Sequence, residues 1–172
     1  MRFVLYAVLV MSAGAVSGAP RDAVFPSIDG GMIALADFAG QPILVVNTAS
    51  QCGFTPQYDG LQALHDRYSA QGLLVLTVPS DDFNQELGST EEIKEFCEIN
   101  FNLTVPMTDV MPILGEDAHP FYQDVKSLTG FEPRWNFNKV LIDGEGNVVE
   151  TWGASERPDR GAIPDAIEAL LK

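Results

Sequence analysis

The apolar positions of the chain follow two rhythms. Ile43-Leu44-Val45-Val46 and Leu73-Leu74-Val75-Leu76-Thr77-Val78 are unbroken, largely branched runs, the pattern of strands buried on both faces. Between them Leu61, Leu64 and Tyr68 recur at i, i+3 and i+7 before Gly72, which predicts an amphipathic helix with a glycine stop. A helix joining two such runs predicts a βαβ unit with parallel strands. Upstream, short apolar pieces between positions 25 and 35 flank Asp29-Gly30-Gly31, a hairpin signal. Downstream, Ser89 with Glu92 forms a capping box that opens a helix to about Asn100, with Ile93, Phe96 and Cys97 on one face. Residues 103–107 read as a short strand. Pro120 opens a helix with a stripe of Phe121, Val125 and Leu128. Lys139-Val140-Leu141-Ile142 and Val148-Val149 flank Asp143-Gly144-Glu145-Gly146 as an antiparallel hairpin, and Ile163, Ile167, Leu170 and Leu171 mark a closing helix.

A parallel pair followed by an antiparallel hairpin and a helix predicts an α/β, thioredoxin-like fold, a central mixed sheet flanked by helices. At 172 residues with 46% hydrophobic and 20% charged residues, one ordinary globular domain is expected. The N-terminus differs in character. Arg2, the apolar run at 3–11 and the small residues at 12–19 have the order of a secretory signal, so residues 1–19 are set apart and the domain is placed at 20–172. The apolar run is too short to span a membrane, which takes about 20 residues. The chain is therefore expected to be exported, to the periplasm or outside the cell, after the signal is cleaved. The net charge of -14 disfavours nucleic acid as a partner, because phosphate binding needs clustered Lys and Arg.

Cys52 carries the clearest chemistry. It lies between the end of the first buried run and Pro56, which suits the first turn of a helix. Unpaired N–H groups at a helix start favour thiolate over thiol, so Cys52 is a candidate nucleophile. Cys97 is the only other cysteine, and in an exported chain the pair could equally form a structural disulfide. In an open α/β sheet, ligands sit beyond the carboxyl ends of the parallel strands. Gln85 follows the second such strand and reads either as an amide near the sulfur or as a surface residue. Trp135, before the later strand, reaches the same edge only if that strand runs antiparallel; alone, it reads as core.

The segment Asn47-Thr48-Ala49-Ser50-Gln51-Cys52-Gly53-Phe54-Thr55-Pro56-Gln57-Tyr58 resembles the signature of the glutathione peroxidase family, with cysteine where some members carry selenocysteine. Val78-Pro79-Ser80 through Gln85-Glu86 resembles the second motif of that family, and Arg134-Trp135-Asn136-Phe137-Asn138-Lys139 the third. The likeness runs from about Phe25 to the C-terminus. It implies a thioredoxin fold, no bound cofactor, and reduction of hydroperoxides with Cys52 as peroxidatic cysteine and Gln85, Trp135 and Asn136 as its hydrogen-bonding partners. A thiolate attacks the peroxide, an alcohol or water leaves, and a sulfenic acid remains. The second motif is one residue short at Asn84, Leu87 replaces a usual proline, and Ser80 stands where cysteine is common.

The resemblance also places Cys97 near the resolving cysteine of thioredoxin-dependent members, but one position early. One helical step is about 100°, enough to turn the thiol into the core. With local unwinding Cys97 would close a disulfide with Cys52 for a thioredoxin-like reductant; without it, glutathione would serve. The acidic composition leans toward the protein reductant. The short segment between Met107 and Trp135 lacks the loop resembling the tetramer contact of other members, which implies a monomer. A disulfide exchanger would want Cys-x-x-Cys, and here Cys52-Gly53-Phe54-Thr55 stands instead. A non-catalytic module with a structural disulfide is the remaining alternative.

Overall fold

The computed structural model describes residues 19–171, so the expected leader, all but Ala19, lies outside the described residues. Strands β1 (Val24–Pro26) and β2 (Met32–Ala34) form the expected hairpin. The main sheet contains β3 (Ile43–Thr48), β4 (Leu74–Pro79), β5 (Lys139–Ile142) and β6 (Val148–Trp152) in the order β4-β3-β5-β6. The helices are α1 (Gln57–Tyr68), α2 (Thr90–Phe101), α3 (Pro120–Thr129) and α4 (Ala162–Leu170). Strands β3 and β4 run parallel, while β5 is antiparallel to both β3 and β6. This is the mixed α/β sheet that the sequence predicts.

The unbroken apolar runs are explained by layers on both faces. Successive strand residues point to opposite sides. Leu44, Val46 and Val75 pack with Leu61 and Leu64 of α1, Ile93 of α2 and Ile163 and Ile167 of α4. Ile43, Val45 and Leu76 face the other way, against Phe25 of β1 and Phe121 and Val125 of α3. Gly72 stops the segment after α1 at φ 103°, a left-handed conformation that costs glycine little.

Two expectations are corrected. Residues 103–107 do not form a strand; they meet β4 only through an isolated parallel bridge between Met107 and Thr77. Pro106 has no N–H to extend a ladder, and its carbonyl accepts from Thr77 N at 3.0 Å. Leu128 is 60% exposed; Phe131, beyond the turn at Gly130, packs on that core instead.

Register positions the site. Thr48 pairs with Pro79, so β3 and β4 end level and release their following loops at one edge of the sheet. Lys139 pairs with Val46, which brings residues 135–138, just before antiparallel β5, to that same edge.

Candidate active site

Three loops converge at this edge. In the first, the chain leaves β3 and winds into α1 through successive tight turns: Thr55 N donates to Cys52 O (3.0 Å), Gln57 N to Phe54 O (2.8 Å) and Tyr58 N to Thr55 O (3.0 Å). Thr55 fixes the turn, its Oγ1 accepting from Cys52 N at 3.0 Å and donating to Ala49 O at 2.9 Å. Cys52 therefore sits between a strand end and a helix start, as expected. Its Sγ accepts from Phe54 N at 3.4 Å, and the residue is 8% exposed.

The second loop follows β4. Asn84 adopts φ 54° and donates its N–H to Asp81 O at 2.8 Å. Asparagine tolerates this left-handed conformation, so one residue closes the turn where the resembled motif has two. Gln85 then lies against the first loop, its carbonyl accepting from Gln51 N at 2.9 Å.

The third loop carries Trp135 and Asn136. Asn136 is fully buried and donates Nδ2 to Gln85 Oε1 at 3.0 Å, which ties the third loop to the second. Trp135 is 40% exposed rather than part of the core, and its ring lies 5.4 Å from that of Phe83 in the second loop. Asn47, at the end of β3, holds this loop: Nδ2 donates to Trp135 O and Oδ1 accepts from Asn138 N, both at 3.0 Å. Phe137 is held at φ 61°, rare for a bulky residue, with its N–H on Asn47 O at 2.6 Å and its ring edge-on to Tyr58. That strained residue directly follows the buried amide of Asn136.

Cys97 points inward. It is 2% exposed and shares one core cluster with Cys52, and both cysteines are free. Burial pushes its thiol up to about 11; the Tyr58 hydroxyl beside it opposes this, while Glu86 and Glu98 add to it. Asn47, Tyr58 and Glu86 were not singled out from the sequence. A buried asparagine ending an apolar run was the one available signal; Glu86 is one acid among 24.

A cysteine at the C-terminal edge of the parallel strands of a thioredoxin-type sheet, on a loop bonded through Gln51 N to the carbonyl of Gln85, points to a thiol oxidoreductase. The fold is shared with a thioredoxin-family thiol:disulfide interchange protein from Chlorobium tepidum, at a TM-score of 0.64 and 14% identity over 92% of this chain and 100% of that one. T. cruzi GPX1 is similar at a TM-score of 0.69 and 26% identity, over 90% of this chain and 97% of that one. The family model described as glutathione peroxidase matches residues 21–126. A hydroperoxy fatty acid reductase of Synechocystis is 43% identical over 159 residues, covering 84% of this chain and 91% of the relative. A glutathione peroxidase-like peroxiredoxin of Schizosaccharomyces pombe is 39% identical over 158 residues, covering 89% and 96%. The chain belongs to the glutathione peroxidase family and is, with it, a thiol-dependent peroxidase.

Proposed function

We propose that Cys52 is the thiol that hydroperoxides oxidise, with Gln85, Trp135 and Asn136 as its hydrogen-bonding partners. The observation that carries this reading is the bonding of the Cys52 loop to the Gln85 loop and of Gln85 in turn to Asn136. The Cys52 thiolate attacks the terminal peroxide oxygen, the O–O bond breaks, and the leaving oxygen takes a proton to depart as alcohol or water. Cys52 is left as sulfenic acid. Preorganised amide N–H groups favour the charge that develops on the leaving oxygen.

Two substrates complete the cycle. The relative named a hydroperoxy fatty acid reductase supports organic hydroperoxides alongside hydrogen peroxide. The exposed ring of Trp135, beside half-buried Phe83, offers an apolar surface for them. For the reductant, the reading favoured is a thioredoxin-like protein. Cys97, if released from the core, would attack the Cys52 sulfenic sulfur, forming a disulfide and expelling water, and a protein dithiol would then reduce it. The net charge of -14 supports this over anionic glutathione. The protein is proposed to act as an exported monomer, which N-terminal sequencing of the mature chain and light scattering would test.

The deciding experiment is intact-mass analysis after one equivalent of hydroperoxide, with and without a sulfenic-acid trap. Loss of two hydrogens mapped to a Cys52–Cys97 bond is the expected result. A trapped adduct on Cys52 with Cys97 untouched would point to a small-thiol reductant, and unreacted thiols would overturn the assignment of Cys52.

A further inference from the structure

Glu86 follows Gln85 directly and is held unusually for a loop acid. Its Oε1 accepts from Ser50 N in the Cys52 loop and from Leu87 N in its own loop, both at 2.9 Å. Its Oε2 is buried without a hydrogen-bond partner. Withdrawing a carboxylate oxygen from water is costly, and burial raises the pKa of Glu86 despite the hydrogen bonds from Ser50 and Leu87. The two bonds do not by themselves require a charge, since a glutamine Oε1 could accept both. Asp81, in the same loop, adds to the upward shift of Glu86.

We propose that Glu86 is a positioning residue for the peroxidase reaction: its side chain fastens the Cys52 loop to the Gln85 loop and so holds Cys52 in place for oxidation. This rests on the reading of Cys52 as the thiol that peroxide oxidises. While the loops are closed, Ser50 and Gln51 are both bonded to the Glu86–Gln85 segment, which presents Cys52 to Gln85.

The test compares Glu86→Gln with Glu86→Ala in the full chain. The readout is the second-order rate of Cys52 oxidation by hydrogen peroxide. Glu86→Gln keeps the acceptor, so oxidation stays within about threefold of wild type. Glu86→Ala loses the clasp, and oxidation slows by about tenfold or more. An alanine variant oxidised as fast as wild type, or a glutamine variant as slow as alanine, would overturn the proposal. Should Glu86→Ala fail to fold, Glu86→Asp, whose shorter side chain does not span to Ser50 N, is read in its place against the same two outcomes. If peroxide leaves wild-type Cys52 unoxidised, the assignment of Cys52 fails instead.

Discussion

Asn136 and Trp135 are neighbours in sequence with opposite environments, and their substitutions separate accordingly. Asn136 is fully buried with its Nδ2 on Gln85 Oε1, so Asn136→Ala leaves that oxygen without its donor and empties a space behind it. A lost hydrogen bond costs about 0.5–1.5 kcal/mol, and loss of one preorganised donor near developing charge costs about 10²-fold in rate. Asn136→Ala is therefore expected to lower both the unfolding free energy and the rate of Cys52 oxidation. Trp135 is partly exposed with its ring tilted against that of Phe83, so Trp135→Phe keeps an aromatic ring there and removes the indole N–H along with the second ring. Denaturant unfolding should leave it within about 0.5 kcal/mol of wild type, while the oxidation rate falls. If Trp135→Phe oxidises at the wild-type rate, its indole N–H has no part in the chemistry. The residue types at this site were legible because each lies in a motif. Their neighbours were not: the hydrogen bonds of Asn47 and Glu86 depend on which loops meet, and no periodicity encodes that meeting.

Helix α2 is the element on which turnover through Cys97 would depend. It buries only Ile93 and Cys97 fully, and Ile99 is 72% exposed. Its start is held by Ser89, whose Oγ accepts from Glu92 N at 3.2 Å, and its end by Asn102 in the left-handed conformation. Such a shallowly anchored helix opens locally at less than the cost of global unfolding. Ser89→Ala removes the cap at a cost of about 1 kcal/mol, which raises the open population roughly fivefold. The rate of Cys52–Cys97 disulfide formation after a peroxide pulse, followed by quenched alkylation, should rise in proportion. An unchanged rate would mean that Cys97 reaches Cys52 by some route other than opening the start of α2. At this scale the sequence was most readable: β1 to β6 and all four helices follow from periodicity, capping and glycine stops. The exceptions have local causes. Residues 103–107 carry a strand-like composition, but Pro106 breaks the ladder. Leu128 keeps the helical spacing of Phe121 and Val125 yet is exposed, because an apolar stripe does not say how far the underlying core extends.

Across the whole molecule, one buried cation joins elements distant in sequence. Lys139 is fully buried on β5, and its Nζ donates to Gln57 Oε1 at the start of α1 (2.5 Å) and to the carbonyls of Glu156 (2.6 Å) and Ala154 (3.5 Å) before α4. Gln57 Nε2 closes the knot on Ala154 O at 2.7 Å. Burial pushes the Lys139 amine down to about 7, against the opposing charge of Glu156. An unfolded lysine titrates near 10.4, so between about pH 7 and 10.4 the unfolded chain binds a proton that the folded chain has released. Stability from this group therefore rises with pH through that window, and the cost of burying the cation is present in full below it. Lys139→Met abolishes the titration but strands Gln57 Oε1 and the Glu156 carbonyl, at about 1–3 kcal/mol for each unsatisfied acceptor. Urea unfolding near pH 6, 7.5 and 9 should find the variant least stable relative to wild type at the highest pH, with the gap narrowing as the wild-type amine becomes charged. A gap that stayed constant across those three conditions would mean that Lys139 keeps its proton throughout, and that its acceptors solvate the cation well enough to cancel the penalty of burial.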